Sequence, residues 1–401
     1  MANSLAAVNI PQYSADVLLS LRDKLGFAQT IYRDLENVVG DPVQVGDVIK
    51  TRRPARFVAQ DFDENSATEG TAAQDMKYST VDLAVDQHPE VKVSERDFAR
   101  SVQGGDRAIA EHAANMAQAV AEHIEAKLYS LHALVGRKVA PVTSPTAADY
   151  LVGSRTELAR AKVPMSDRWF HASTDLADLF LRDSQFTAAN VIGGSDNRVG
   201  LIDGALGGRF SFDIFESNIA ATALGAVATT LDASADSGDR VGAVSGLTAT
   251  DSASITIGGL TNGQTIEAGA TFKIAGDNTV YTVTSGDTTV AANELNVNIS
   301  PKLRQDAADT AVVTFQLRSS IEEAAHEVSL AYHKNAFALA MVNLPTDLPG
   351  ADVSVTTDPD SGLSVRVRRW YDGDTSQLKM AVDAAYGYAV LDNEMAVRVI
   401  R

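Results

Sequence analysis

Residues 104–136 constrain the fold of this chain more than any other stretch of its sequence. Apolar residues recur there at steps of three and four, the period that lines one face of an α-helix. They are Ile109, Ala113, Met116, Val120, Ile124, Leu128, Leu131 and Val135. Alanine, the strongest helix former, fills many other positions. The pattern predicts one helix on the order of 45 Å long, whose narrow apolar stripe lies across a sheet or along neighbouring elements.

The composition is that of a globular protein with two or three domains. The chain has 401 residues, of which 45% are hydrophobic. It has no cysteine, which excludes disulfide scaffolds, thiolate metal sites and cysteine nucleophiles. We find no signal peptide and no apolar run of roughly 20 residues that could cross a membrane. The net charge of −18 argues against general binding to phosphates, because nucleic-acid affinity comes from Lys and Arg.

Residues 56–80 are polar and poor in large apolar side chains, and alternating valines and a leucine follow in residues 81–93. This pattern predicts an extended hairpin that stands away from the core and is ordered by contacts outside its own subunit. Arginines cluster at residues 52–56 and again at Arg366, Arg368 and Arg369. Such clusters are solvated strand faces, or they pair with acidic loops of another subunit.

The remaining host segments alternate between helical and strand patterns, which indicates an α/β or α+β body. We predict helices at residues 14–26, with Ser14 as N-cap, and at 147–163 and 174–183. Strand patterns occupy residues 168–172, 363–368 and the C-terminus, and residues 321–345 begin helix-like and end as an apolar core strand.

Residues 224–318 differ sharply in composition from the segments on either side. They are rich in Gly, Thr, Ser, Asp and Val, and short strand patterns alternate there with Gly-Asp turns. This spacing predicts a small all-β barrel or sandwich inserted into the host.

The sequence offers no motif for catalysis or metal binding. His112 and His123 share a helix face but lie about 16 Å apart, so they are interpreted as solvated helix residues. Residues 61–72 begin like a calcium loop but carry Ser66 and Ala72 where Gly and Glu are needed. Phosphate-binding, dinucleotide-binding and nucleophile-elbow motifs are also missing. We therefore assign no catalytic, cofactor-binding or metal-binding residue and predict that the chain is not an enzyme.

The order of these elements resembles that of the major capsid (coat) protein of tailed bacteriophages, which has the HK97-like fold. With its inserted β-module, the chain resembles the P22-type coat proteins, which have an extra insertion domain in the same place. Seven stretches carry the resemblance: residues 46–54, 81–99, 200–218, 269–283, 295–301, 333–340 and 382–399.

The resemblance implies an α+β HK97-like capsid fold with an inserted barrel-like β-domain. It divides the chain into an N-terminal arm and helix, an extended loop, a peripheral domain with the spine helix, an axial domain and the insertion. The implied ranges are, in that order, 1–38; 39–92; 93–137 with 346–372; 138–223 with 319–345 and 373–401; and 224–318.

The resemblance also implies a function and a set of partners. The chain would assemble into an icosahedral shell that encloses double-stranded DNA and matures by expansion. Its partners would be further copies of itself in hexamers and pentamers, a scaffolding protein, a portal and a decoration protein. DNA would be enclosed without sequence-specific binding, and neither a membrane nor a cofactor would be involved. The shell would assemble in the bacterial host cytoplasm and remain as the virion capsid.

The extended loop would supply contacts between subunits. The residues that we expect to make them are Arg52, Arg53, Arg56, Asp61, Asp63, Glu64 and Glu69. The arginines lie at the base of the arm and would pair with acidic residues of an adjacent subunit. Two other readings stay open: the shell of an encapsulin-like cellular compartment, and an adhesin or binding protein that acts through the β-domain.

Overall fold

A computed structural model of the chain describes most of its residues. These are residues 5, 8–33, 46, 48–52, 80–101, 106–141, 145–183, 208–217, 222–223, 240–260, 262–263, 265–266, 268–277, 279–285, 288–315, 326–358 and 362–401. The described residues form a mixture of helices and sheets.

The described helices are α1 (Ile10–Lys24), α2 (Phe27–Thr30), α3 (Glu95–Ser101), α4 (Asp106–Ser130), α5 (Ala147–Arg160) and α6 (Thr174–Arg182). The strands of the first half are β1 (Val48–Arg52), β2 (Thr80–Ala84), β3 (Glu90–Ser94), β4 (Lys138–Val139), β5 (Arg168–Ala172), β6 (Gly208–Arg209), β7 (Phe212–Glu216) and β8 (Thr222–Ala223). Those of the middle are β9 (Arg240–Val244), β10 (Ser254–Gly258), β11 (Thr265–Ile266), β12 (Thr271–Ile274), β13 (Tyr281–Val283), β14 (Thr288–Thr289), β15 (Glu294–Ser300) and β16 (Val312–Phe315). The last are β17 (His326–His333), β18 (Phe337–Val342), β19 (Ala351–Thr357), β20 (Ser364–Asp372), β21 (Gln377–Asp383), β22 (Ala385–Val390) and β23 (Ala396–Ile400).

The chain divides into two compact units, and each is built from separate stretches of sequence. The first contains Met1–Leu25, Arg33–His123 and Ala338–Leu391. The second contains Gly26–Tyr32, Ile124–Phe337 and Asp392–Arg401. Residues distant in sequence therefore complete each core.

The predicted long helix is confirmed as α4, although it ends earlier than the pattern suggested. Its buried residues follow the predicted stripe, and a single 3₁₀ turn, Leu131–Leu134, comes after it. At this end the Ser130 hydroxyl donates to the Lys127 carbonyl at 2.6 Å, and His132 Nδ1 lies 2.7 Å from the Tyr129 carbonyl oxygen. Side chains thus occupy carbonyls that a further helical turn would have used.

The first unit is built around the antiparallel sheet β19-β20-β21-β3. Helix α1 lies against β19 and β20 and buries Val17, Leu18 and Leu21. It starts at Ile10, not at the predicted Ser14 N-cap, because Pro11 supplies the first turn and the Ser14 hydroxyl donates to the Pro11 carbonyl from within the helix. Two further strand pairs, β1-β2 and β18-β22, complete the described part of this unit.

The second unit contains a mixed sheet with strand order β4-β23-β17-β5-β7-β6, and β8 pairs with one end of β17. Helix α6 packs on one face of the sheet, where the rings of Phe170 and Phe180 lie 5.7 Å apart. On the opposite face the ring of Phe27 lies 5.1 Å from that of His171 and 5.0 Å from that of Tyr332. The sheet is therefore covered on both faces.

A closed six-stranded barrel lies in the middle of the sequence, within the predicted range 224–318. Its strands follow the order β10-β15-β13-β12-β16-β9, and β9 pairs with β10 to close it. Along β15, buried Leu295, Val297 and Ile299 alternate with exposed residues, as expected for strands with one face in a core.

The strand pairing corrects one sequence prediction and adds detail at two predicted domain boundaries. The helix-like start expected for residues 321–345 is wrong for residues 326–333, which form β17 in the centre of the large sheet, because short apolar runs look alike in helices and buried strands. Residues 90–94, at the predicted end of the extended loop (39–92), form β3 and pair with β21. The boundary predicted at residue 373 falls inside the β20–β21 hairpin, where Asp372 is opposite Gln377.

Candidate functional site

Of the seven predicted intersubunit residues, the structure describes the backbone of one. Arg52 is the last residue of β1 and lies opposite Thr80 of β2. The other six, Arg53, Arg56, Asp61, Asp63, Glu64 and Glu69, lie outside the described residues. Their contacts with a neighbouring subunit stay a prediction.

The two strands on either side of the predicted loop form an antiparallel ribbon in the first unit. Five residue pairs join β1 to β2, and the Gly46 amide donates to the Val85 carbonyl at 2.9 Å. Leu83 is buried, whereas Val48 is 49% exposed. One side of the ribbon root is therefore packed and the other is accessible.

The root of this ribbon is held by close backbone contact with β22. A Cβ atom on Gly387 would lie 2.7 Å from the Ala84 carbonyl oxygen, closer than real Cβ contacts. Just beyond, Gln87 and Tyr386 exchange two backbone hydrogen bonds of 3.0 and 3.3 Å. The absence of a side chain at Gly387 lets the ribbon pack against the body of its unit.

The second arginine cluster, on β20, pairs with groups of its own chain. Arg366 and Asp383 are cross-strand neighbours and are both buried. Arg366 Nε donates to Asp383 Oδ1 at 2.9 Å and Nη2 donates to Oδ2 at 2.5 Å. This bidentate pair is the strong geometry for an arginine and a carboxylate.

Two further side chains, those of Arg368 and His88, lie close to the Asp383 carboxylate. Arg368 Nε lies 3.3 Å from Asp383 Oδ2, and His88 Nε2 lies 3.2 Å from it. Arg368 also pairs with Glu90, and its guanidinium lies 4.9 Å from the ring centroid of Trp370. Asp383 is thus the shared counter-ion of a cluster that joins β20, β21 and the segment before β3.

Arg369 fastens the N-terminal segment to the sheet. Its Nη1 donates to the carbonyls of Leu5 and Val8 at 2.7 and 3.1 Å, and Nη2 donates to Asp352 at 2.6 Å. The interpretation of this cluster as a solvated strand face is therefore wrong for its members. No local sequence pattern indicates these partners, because they are distant in the chain.

The two helix histidines interpreted as solvated are instead half-buried and contact tyrosines. Tyr13 Oη lies 2.8 Å from His112 Nδ1 and 3.2 Å from Met116 Sδ, and His123 Nδ1 lies 2.8 Å from Tyr386 Oη. Burial lowers the pKa of His112 and, with a smaller effect of Asp16, raises the pKa of Tyr13. Burial therefore favours the uncharged forms of Tyr13 and His112, whose contact joins α1 to α4 within the first unit.

In the second unit, Glu125 joins α4 to the start of α2. This buried carboxylate on α4 accepts hydrogen bonds from the backbone amides of Gly26, Phe27 and Ala28, each at 3.1 Å. Burial raises the pKa of Glu125, and the three amide donors oppose that shift. The sequence signal was an acidic residue on the apolar side of the helix, with Ala121 and Tyr129 each about one helical turn away.

Among the described residues, no group of three or more His, Asp or Glu side chains is placed to hold a metal ion. Within the same residues, no helix is both long and apolar enough to cross a membrane. What the described geometry offers is a set of anchors. They hold the N-terminal segment, the two-stranded ribbon, and the long helix α4 in the structure.

Comparison with protein-family models and with curated proteins finds no match. Solved structures similar to this chain include that of Mycobacterium phage Che8, with 14% identity and a TM-score of 0.46 over 94% of this chain and 90% of the other. The capsid structure of cyanophage P-SCSP1u is similar with 10% identity and a TM-score of 0.44, over 92% and 88% of the two chains. The virus-like particle of Pyrococcus furiosus is similar with 6% identity and a TM-score of 0.38, over 97% and 98%.

Two of these structures come from phages, the class of virus whose capsid proteins the sequence resembles, and the third is a virus-like particle. At such identities and TM-scores the likeness alone assigns no function.

Proposed function

We propose that this chain is the major capsid protein of a tailed double-stranded DNA phage, and that many copies build an icosahedral shell around the genome. The observation that carries the proposal is the β1–β2 ribbon with its connection, residues 53–79. A two-stranded ribbon is marginal in water by itself, and the connection is polar and acidic. Such an arm gains stability when it lies on another copy of the chain.

The order of elements along the sequence supports the same function. An N-terminal helix is followed by the ribbon, the 25-residue helix α4, a mixed α/β body that contains the barrel, and a sheet completed by late strands. The sequence resemblance to HK97-like coat proteins with an inserted domain implies this order. In the proposed subunit, the barrel is the insertion domain, which assists folding and makes contacts between capsomers.

The charge of the chain is consistent with enclosing DNA without binding it tightly. A net charge of −18 disfavours the counterion release by which basic proteins hold phosphates. Packaged DNA would therefore remain mobile inside the shell.

The proposed shell has further partners and a defined place of action. Copies of the chain would form hexamers and pentamers, and a closed shell requires such repeated complementary contacts. A scaffolding protein, a portal and a decoration protein would act with it, and the shell would expand during maturation. Assembly would take place in the bacterial host cytoplasm, and the chain would remain in the virion capsid.

Expression of the full chain in bacteria, with and without the scaffolding protein of the same virus, tests the proposal by negative-stain electron microscopy. We expect closed particles of uniform size, and expect them to be more regular with scaffold. A discrete monomer that binds a surface or a ligand through its barrel would contradict the proposal and favour the adhesin reading. Uniform closed shells that need no scaffold and load a cellular protein would favour an encapsulin-like compartment.

The arginines at the base of the arm provide a second test. If Arg52, Arg53 and Arg56 pair with acidic residues of a neighbour, replacing all three by glutamine weakens assembly and reduces its dependence on salt. Particle yield is measured by light scattering between low and high ionic strength. Lys334, a described exposed residue on the second unit, provides the control Lys334→Gln, which should assemble like the unaltered chain. A triple variant with unchanged salt dependence would refute the pairing.

A further inference from the structure

One side chain of the barrel reaches two carboxylates outside it. Arg304 follows β15, and its Nη2 donates to Asp392 Oδ1 at 2.7 Å while Nη1 lies 3.2 Å from Glu394 Oε2. Both acidic residues belong to the turn that precedes β23 of the large sheet. Asp392 is 1% exposed and Glu394 is 7% exposed, so the ion pairs are largely removed from water.

The residues on both sides of this contact are also held by hydrogen bonds within their own segments. The Asp392 carboxylate accepts a hydrogen bond from the Glu394 amide at 3.1 Å, and the Asp392 amide donates to the Ala336 carbonyl at 3.2 Å. On the barrel side, the Arg304 amide donates to the Tyr281 hydroxyl at 3.2 Å. Groups held in this way lose little conformational entropy when they pair.

The other described contacts at this place are close but weakly directional. A Cβ atom on Gly136 would lie 2.9 Å from both the Cγ1 and the carbonyl oxygen of Val280, so glycine is required for the approach. Asn393 Nδ2 donates to the Val280 carbonyl at 3.5 Å, which is the long limit of a hydrogen bond. Arg304 therefore provides the strongest directional contact between the barrel and the turn.

We propose that Arg304 is the positioning residue that fixes the orientation of the barrel relative to the large sheet. The barrel then keeps one orientation relative to the large sheet, and residues on its outer surface stay at fixed distances from that sheet. Two charge-assisted contacts from one planar guanidinium restrict rotation in a way that apolar contact does not. The inference is independent of the capsid proposal, because it concerns one chain.

The cysteine-free sequence allows a direct test by spin labelling and pulsed electron paramagnetic resonance. Leu247 of the barrel and Val152 of α5 are 76% and 44% exposed, so Leu247→Cys and Val152→Cys provide the two label positions. The labelled full chain is mixed with excess unlabelled chain to suppress distances between copies. We expect one narrow distance distribution, which Arg304→Glu broadens and which Arg304→Lys, a variant that keeps one positive charge beside Asp392 and Glu394, broadens less. A distribution that is already broad, or that stays narrow in Arg304→Glu, would overturn the inference.

A matched control separates the effect of Arg304 from that of charge alone. Arg182 forms an exposed ion pair with Asp178 in the same unit, and Arg182→Glu should leave the distribution narrow. Hydrogen exchange at Val297, buried in the barrel core, reports whether the barrel is still folded. The inference expects this protection to persist in Arg304→Glu while the distances broaden. Loss of protection in both Arg304→Glu and Arg304→Gln would show that Arg304 is needed for barrel folding and would contradict the positioning role.

Discussion

Arg366 and Asp383 face each other across β20 and β21 and form a bidentate ion pair in the interior of the first unit. Arg366 is 5% exposed and Asp383 is fully buried. The remaining Arg366 donor, Nη1, reaches the Pro345 carbonyl at 3.0 Å. The pair thus joins β20 to β21, and Arg366 also joins β20 to the segment that precedes β19.

Asp383→Asn should destabilise the chain strongly, because Arg366 and Arg368 would be left without their shared counter-ion. Removing one partner of a buried ion pair typically costs about 3–5 kcal/mol of unfolding free energy. Urea unfolding followed by tryptophan fluorescence measures the loss. The control is Asp352→Asn, whose carboxylate is 55% exposed beside Arg369 and should cost less than about 1 kcal/mol. Equal losses in the two variants would contradict the role given to Asp383.

Glu125→Gln should destabilise the second unit by about 1–2 kcal/mol at neutral pH, since an amide cannot accept from all three backbone donors. One of the amides of Gly26, Phe27 and Ala28 would face the new NH₂ group. The loss is partly offset because a buried charge is also removed. Thermal unfolding of Glu125→Gln beside Glu122→Gln, an exposed position on the same helix, measures the difference. A Glu125→Gln variant as stable as the Glu122→Gln control would refute this anchoring.

His171→Phe should make the chain less sensitive to acid. His171 is buried among rings of Phe27, Tyr129 and Tyr332, and neither ring nitrogen has a hydrogen-bond partner within the described residues. Burial lowers the pKa of His171 to about 3. Because the unfolded chain binds this proton near pH 6.5, the stability contribution is complete above that pH and is lost as the pH falls towards 3.

The loss at His171 is on the order of 4 kcal/mol over that pH range. Unfolding free energies measured at several pH values should therefore fall less steeply below pH 6.5 in His171→Phe than in the unaltered chain. Phenylalanine fills a similar volume and forfeits no hydrogen bond described in the structure. Parallel pH profiles for the two proteins would show that His171 contributes nothing to acid sensitivity.

Gly387→Ala should disturb the root of the β1–β2 ribbon, because the new Cβ would overlap the Ala84 carbonyl oxygen. Overpacking of this kind costs about 1–3 kcal/mol. Gly373→Ala is the matched control, since nothing lies within 4 Å of the Cβ position there. Hydrogen exchange at Leu83 should rise in Gly387→Ala and stay unchanged in Gly373→Ala. Equal protection in both variants would contradict the close contact.

Periodic features were predictable from the sequence, and long-range partners were not. The stripe of α4 and the run at residues 168–172 needed only local patterns, and the structure has α4 and β5 there. β17 was misassigned at its start because its environment, a sheet with strands on both sides, decides its conformation. The partners of Arg366, Arg369 and Glu125 come from remote segments. The spacing of residues near each of these positions therefore does not predict them.

The mass of the assembled chain tests the central claim most directly. The subunit weighs 42.4 kDa, and a closed icosahedral shell contains at least about 60 copies. Mass photometry of the purified full chain, expressed with scaffold, should therefore find a sharp population above about 2.5 MDa. A single population at the mass of a monomer or a small oligomer, under every expression condition, would contradict the proposal that this chain builds a shell.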